Sequence, residues 1–348
     1  MKQILLLAVG LIFSGTSLSS VASEKGHAYV SNQDGGVTVI DLESMEATSN
    51  IDIQAKSPRG IAVTADGKFL ITANKDDDNI SVIDRATGQL IKHIAVGKNP
   101  EFVRIYKGFV FVSTEPSSKG GPPPKPGDVV KEDDDDKMPA IIAVVDIKKG
   151  KKVREIVGGP ETEGLEFSKD GKNIIITNEA DNTITVHNFA TGKLIKTIST
   201  KEYGDRPRGI KVSPDGTYYL ATLEYGNKFM VLDKKFTVTR TVETGQSPYG
   251  ISFDRKGQRI FIASSKEKAL QVYDAKTFEK IKDISTGNRC WHFSFTPDDK
   301  QILLACGKSQ AVMVIDTETL EKTKEIADKE MPWGVITYPK SMGSLDQP

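Results

Sequence analysis

Along most of this chain, apolar residues come in short runs broken by turns, and the runs return in a fixed order. One pass reads Pro58-Arg59-Gly60-Ile61-Ala62-Val63, then Ile71-Thr72-Ala73-Asn74, then Ile80-Ser81-Val82-Ile83-Asp84, then Leu90 to Val96. Asp66-Gly67 and Thr87-Gly88 stand between them, and such pairs suit tight hairpins. Runs of Val, Ile, Phe and Thr this short, interrupted every 8–12 residues or so, predict strands and exclude amphipathic helices. The opening Pro-x-Gly returns at Pro207-Arg208-Gly209, Pro248-Tyr249-Gly250 and Pro332-Trp333-Gly334. The acidic or amide residue that closes the third run falls at Asp41, Asp84, Asp146, Asn188, Asp233, Asp274 and Asp316, spaced 43, 62, 42, 45, 41 and 42 residues apart. Seven units of four antiparallel strands at this period predict an all-β, seven-bladed β-propeller.

The two ends of the pattern complement each other. His27-Ala28-Tyr29-Val30-Ser31-Asn32 matches a second strand, whereas Met331-Pro332-Trp333-Gly334-Val335-Ile336 matches a first strand. One blade is therefore expected to be shared between N- and C-terminal strands, which leaves no exposed edge at the seam. Ahead of this lies Met1-Lys2-Gln3, an apolar run from Ile4 to Phe13 and small residues up to Ser23. That order reads as a signal peptide over residues 1–23, cut after Ala22 or Ser23 and leaving the propeller over 24–348 in the periplasm. The run is too short to span a bilayer. With 47 basic and 47 acidic residues the formal net charge is zero, so nothing pulls the chain toward nucleic acid or an anionic membrane.

Candidate chemistry collects where the inner strands begin. The residue between Pro and Gly, or its equivalent, is Arg59, Glu101, Glu163, Arg208, Tyr249, Trp291 and Trp333 around the ring. These positions surround the mouth of the central channel, with His292 beside Trp291. Two acids, two arginines and three adjacent aromatics make a candidate recognition surface, since Trp, Tyr and Arg are enriched at hot spots; the plainer reading is buried aromatics and ordinary ion pairs. Further along the same strands, Arg104, Glu166 and Lys211 are adjacent in blade order and predict a buried charge cluster.

The 62-residue interval carries an insertion at about 115–139, rich in Pro, Gly and Ser and ending in Glu132-Asp133-Asp134-Asp135-Asp136-Lys137. It joins a second strand to a third, so it rises from the face that carries the mouth. Asp133, Asp134, Asp135 and Asp136 offer hard oxygen ligands and are weak candidates for calcium or another hard cation; solvated charge and a docking loop for a basic partner are the alternatives. Cys290 and Cys306 flank a hairpin turned at Thr296 to Lys300. Pairing Phe295 with Gln301 places the two cysteines opposite each other, as a structural disulfide in an oxidising compartment, as two free thiols, or as a redox or metal pair. No Cys-x-x-Cys-His occurs, which excludes covalent c-type haem, and no nucleophile elbow or phosphate loop is found.

Tyr29-Val30-Ser31-Asn32 followed by Val37-Thr38-Val39-Ile40-Asp41, and again Ile176-Thr177-Asn178 with Ile184-Thr185-Val186, resembles the YVTN family of β-propeller repeat proteins. Cys290-Trp291-His292-Phe293-Ser294-Phe295-Thr296-Pro297-Asp298-Asp299-Lys300 and Met331-Pro332-Trp333-Gly334-Val335 look like the last repeats of the propellers associated with PQQ-dependent catabolism. Cys290 and the long insertion depart from that pattern. The resemblance implies a periplasmic, non-catalytic binding or docking protein in PQQ-dependent alcohol oxidation, with a quinoprotein dehydrogenase, a c-type cytochrome or a small ligand at the mouth as partner. Two rivals remain at this point. One is a propeller lactonase or other metal-dependent hydrolase, with a cation held by Glu101, Glu163 and His292. The other is a cell-surface structural or adhesion protein.

Overall fold

The computed structural model describes residues 25–117 and 138–346. The leader and the acidic run Asp133 to Asp136 lie outside the described residues. Twenty-eight strands form seven four-stranded sheets. Blade 1 has the strand order β28 (Pro332–Tyr338), β1 (His27–Asn32), β2 (Val37–Asp41), β3 (Glu46–Ile51), so the two ends of the repeat pattern close the ring in one sheet. Blades 2 to 7 each take four consecutive strands. Their innermost strands are β4 (Pro58–Val63), β8 (Pro100–Tyr106), β12 (Thr162–Phe167), β16 (Pro207–Val212), β20 (Pro248–Phe253) and β24 (Cys290–Phe295).

Burial explains the composition of each strand. An inner strand such as β12 is buried at every residue, and second strands such as β9 (Phe109–Thr114) and β13 (Asn173–Asn178) read as unbroken apolar runs. Sheets covered on both faces by neighbouring blades have no solvent face to mark with polar residues. The outermost strand β11 (Lys151–Val157) instead alternates exposed with covered residues. The recurring acids close turns: Asp84, Asp274 and Asp316 each accept from the backbone amide three residues on, at 3.0, 2.8 and 2.7 Å. Those donors hold all three carboxyls below the usual range.

Every inner hairpin carries a bulge at the mouth. In blade 2, Pro58 pairs with Asn74 and Ile61 with Thr72, so Arg59 and Gly60 together face Ala73. The same shift occurs in the other inner hairpins. In blade 7 it changes the expected register. Phe295 pairs with Ile302 rather than Gln301, and the bulge between Cys290 and Phe293 restores the Cys290–Cys306 pair. The bulge also explains the glycine of Pro-x-Gly. A Cβ on Gly164 would lie 2.3 Å from the Arg208 carbonyl, and one on Gly209 would lie 2.6 Å from that of Tyr249. Adjacent blades therefore touch backbone to backbone at the mouth.

Candidate functional site at the channel mouth

Two rings of side chains build the mouth. The first is the bulged ring, whose extra residue in each strand turns the side chain away from the regular pleat. The second ring is the residue just past each second strand: Gln33, Lys75, Glu115, Glu179, Glu224, Ser265 and Gly307. Its backbone is fixed in the same way in all seven blades. The amide donates to the carbonyl of the residue that precedes the inner strand, for example Glu115 to Asn99 at 3.0 Å, Glu179 to Glu161 at 2.9 Å and Glu224 to Arg206 at 2.9 Å. Those acceptor residues have left-handed backbone, with φ between 50° and 62°.

Together the rings bring Glu101, Glu115 and Glu163 to one point. All three are buried, and a carboxylate oxygen from each lies within 4.8 Å of the others. Arg59 pairs with Glu101 and also donates to Gln33 at 3.2 Å. Arg208 pairs with Glu179, with Glu224 at 2.7 Å and with Glu163 at 3.0 Å. Tyr249 donates its hydroxyl to Glu163 at 2.6 Å, and Arg206 pairs with Glu179 and, at 3.5 Å, with Glu161. Among the described residues, no side-chain hydrogen bond or ion pair serves the Glu115 carboxylate.

In direct contact the carboxylates outnumber their cations, while Lys75 and Arg289 favour the charged forms of Glu101 and Glu224 from farther off. Glu101, Glu115, Glu163, Glu179 and Glu224 are buried carboxylates, whereas Arg59, Arg206 and Arg208 are the guanidiniums in contact with them. Burial pushes the Glu115 carboxyl well above the usual carboxylate range, and the nearby charges of Glu101 and Glu163 add to the effect. Burial also raises Glu101, against the opposing pull of Arg59. Glu224 shows the reverse outcome, because Arg208 and Arg206 overcome the cost of its burial and lower it.

The other sequence candidates take different places. Tyr249, Trp291 and Trp333 are 5%, 8% and 2% exposed, so the expected aromatic wall is packing rather than a presented surface. Trp291 lies over Gly307, where an added Cβ would meet its ring at 2.3 Å. His292 does not join the carboxylates as the hydrolase alternative expected. Its Nδ1 is bound to the Ser344 hydroxyl at 3.0 Å, and its ring packs against those of Trp333, Tyr249 and Phe102 at 4.4, 5.3 and 6.0 Å. Burial keeps it neutral, and Arg104, Arg208 and Lys211 reinforce this. Cys290 and Cys306 form a buried disulfide between the first two strands of blade 7. The sequence reading missed Glu115, Glu179 and Glu224, although all three could have been found by aligning the position after each second strand.

The comparisons agree on the architecture. Residues 15–101, about a quarter of the chain, match the model of the cytochrome D1 heme domain family. No curated protein matches the chain in sequence. Among solved structures, hydrazine synthase of Kuenenia stuttgartiensis is 19% identical with a TM-score of 0.71, over 89% of this chain and 99% of that one. A periplasmic gluconolactonase of Pseudomonas aeruginosa is 14% identical with a TM-score of 0.73, over 90% and 98%. A candidate 6-phosphogluconolactonase of Bacteroides uniformis is 16% identical with a TM-score of 0.70, over 90% and 100%. These likenesses define a seven-bladed β-propeller. The segment from Pro339 to Asp346 runs along β24, with Phe295 donating to Met342 at 2.7 Å and Ser344 to Phe293 at 3.0 Å. Through Ser344 it holds the Nδ1 of His292, whose Nε2 is buried without a partner. No helix of the described residues is long and apolar enough to cross a membrane.

Proposed function

We propose that the protein is an exported, cation-dependent hydrolase of lactone-type esters, with its site at the channel mouth. The observation that carries this reading is the convergence of Glu101, Glu115 and Glu163, buried and outnumbering their guanidinium partners. Two oxygens on one calcium ion, each 2.3–2.6 Å from it, are at most about 5 Å apart, and the three carboxylates meet that limit. A hard divalent cation held there would polarise an ester carbonyl and lower the pKa of a bound water.

The chain's own residues divide the remaining work. Arg59 fixes Glu101, while Arg208 and the Tyr249 hydroxyl fix Glu163. Among the described residues no side chain donates to Glu115, which as a ligand would have to be deprotonated. The periplasmic gluconolactonase of the same fold supports the choice of substrate class. Tyr249, Trp291 and Trp333 are buried, and the disulfide suits export to an oxidising compartment.

Two measurements test the reading separately. Calorimetric titration of calcium into chelator-stripped protein tests the cation, and glucono-1,5-lactone hydrolysis with and without chelator tests the reaction. Binding that Glu115→Gln weakens at least ten-fold, with activity lost on chelation and restored by calcium, is the expected result. Hydrolysis indifferent to chelation overturns the cation, and calcium binding without hydrolysis overturns the lactonase.

A further inference from the structure

The inner strands begin at the mouth and end on the opposite face, where a second charged group lies. Arg104 in β8 and Lys211 in β16 are 1% and 0% exposed. Arg104 donates its Nε to the Leu165 carbonyl at 3.1 Å, and its Nη2 lies 3.7 Å from Glu166. Neither Nη of Arg104 nor Nζ of Lys211 makes a hydrogen bond. Unmade bonds on buried cationic donors are costly, so these donors point to a missing acceptor. Burial, joined by the charge of Arg104, lowers the Lys211 ammonium to about 7.

A cavity of about 280 Å³ opens beside Arg104. Its walls include Arg104, Thr64, Thr337, Ser341 and Asp346, with Val63 and Ile105 as apolar cover. Asp346 belongs to the segment that returns along β24. Its carboxylate accepts from Ser341 at 2.5 Å and lies near enough to Arg104 and Lys211 for each to favour its charge. No hydrogen bond from either cation reaches it. The cavity wall thus holds the Asp346 carboxylate beside a guanidinium whose Nη atoms make no hydrogen bond.

We propose that this cavity is a binding site for a small carboxylate, that the Arg104 guanidinium on its wall is the anchor, with the charge of the nearby Lys211 ammonium in support, and that Asp346 is an internal carboxylate that an external one displaces. Arg104 Nη1 has no partner and Nη2 has only the 3.7 Å ion pair with Glu166, so the planar guanidinium keeps N–H groups to offer a carboxylate. The volume lies just below the roughly 300–1,000 Å³ of drug-sized sites, which selects acids of a few carbon atoms. The site is separate from the mouth and needs no cation, so it stands whether or not the chain is a hydrolase.

The test is calorimetric titration of succinate into the full chain and into Asp346→Asn, which keeps the shape and removes the competing charge. Asp346→Asn should bind succinate at least ten-fold more tightly than the wild type, and adding Arg104→Gln should undo that gain. Hydrogen exchange on the wild type gives a second reading that needs no core variant. Saturating succinate should speed exchange at the Phe295 and Ser344 amides, whose bonds hold the returning segment. Equal affinity of wild type and Asp346→Asn, sulfate binding as tightly as succinate, or exchange unchanged by succinate would each overturn the proposal.

Discussion

The mouth and the far end of the channel are built from the same seven strands, yet they handle buried charge in opposite ways. At the mouth, five buried carboxylates have three guanidiniums in contact with the group, and protons or the proposed cation would meet the shortfall. At the far end, Arg104 and Lys211 face Glu166 and Asp346, so the chain supplies its own counter-charge. Formal neutrality there still leaves donors unbonded, whereas the mouth has more ion pairs but fewer contacting cations than carboxylates, with Arg206 Nε also unbonded. Buried polar groups have to be judged on charge and on hydrogen bonds separately, and the two ends differ most in charge.

The largest expected effect comes from removing the hub of the mouth. Arg208→Ala takes the shared guanidinium from Glu163, Glu179 and Glu224 and leaves them only Tyr249 and Arg206, and breaking a buried pair costs about 3–5 kcal/mol. Denaturant unfolding at pH 7 should show that loss, with partial recovery at pH 5 as the carboxylates take up protons. A loss below 1 kcal/mol would mean that the mouth carboxylates are already neutral. At the far end, Lys211→Met should have the opposite sign. The folded ammonium titrates near 7, below its ordinary value of 10.5. Between these values the unfolded chain binds the extra proton, so wild-type stability rises with pH across that window. The variant should therefore be more stable at pH 6, where the wild type carries a buried ammonium whose charge its surroundings disfavour on balance. Its advantage should shrink toward pH 10.

Glu115→Gln separates the two ways of meeting the mouth's shortfall. The folded Glu115 carboxyl sits above its unfolded value. As pH rises between the two, the unfolded chain releases a proton that the folded chain retains, and stability falls. Without cation, the variant should be more stable than the wild type at pH 8 by on the order of 1–2 kcal/mol, the cost of a buried group without partners. Saturating calcium should reverse the ranking. Thermal unfolding at pH 5 and 8, with and without calcium, measures all four states, and a wild type insensitive to both variables would remove Glu115 from the site.

How much of this was legible in the sequence follows from which residues repeat. The bulged ring was found because Pro-x-Gly marks it in most blades, and the four-strand period fixed its place. Glu115 was hidden because it is also the first residue of the insertion, and composition assigned it to a loop instead of to the ring that Glu179 and Glu224 share. The Cys290–Cys306 pairing was correct while the register beneath it was off by one, because a bulge leaves no mark on the count at its two ends. Arg104, Glu166 and Lys211 were visible as a cluster. Asp346 was not, since nothing in the repeat corresponds to a segment that turns back along an inner strand.

The smallest predicted effect tests whether the spacing of the mouth is built or incidental. Ser113 lies on β9, and its hydroxyl accepts from the Phe102 amide at 3.0 Å and donates to the Glu163 carbonyl at 3.3 Å. One oxygen therefore ties the residue after Glu101 to the backbone of Glu163 in the next blade. Thr177 and Thr222 make the same inter-blade bond, to Arg208 at 2.6 Å and to Tyr249 at 2.7 Å. Ser113→Ala removes these bonds without touching a carboxylate, and the stability cost should be about 1 kcal/mol. If the hydroxyl sets the distance between Glu101 and Glu163, calcium affinity should fall several-fold while the pH dependence due to Glu115 persists. Thr222→Ala, at an interface without paired carboxylates, should cost similar stability and leave calcium affinity unchanged. Equal calcium affinity in wild type and Ser113→Ala would show that Arg59 and Arg208 alone hold the carboxylates in place.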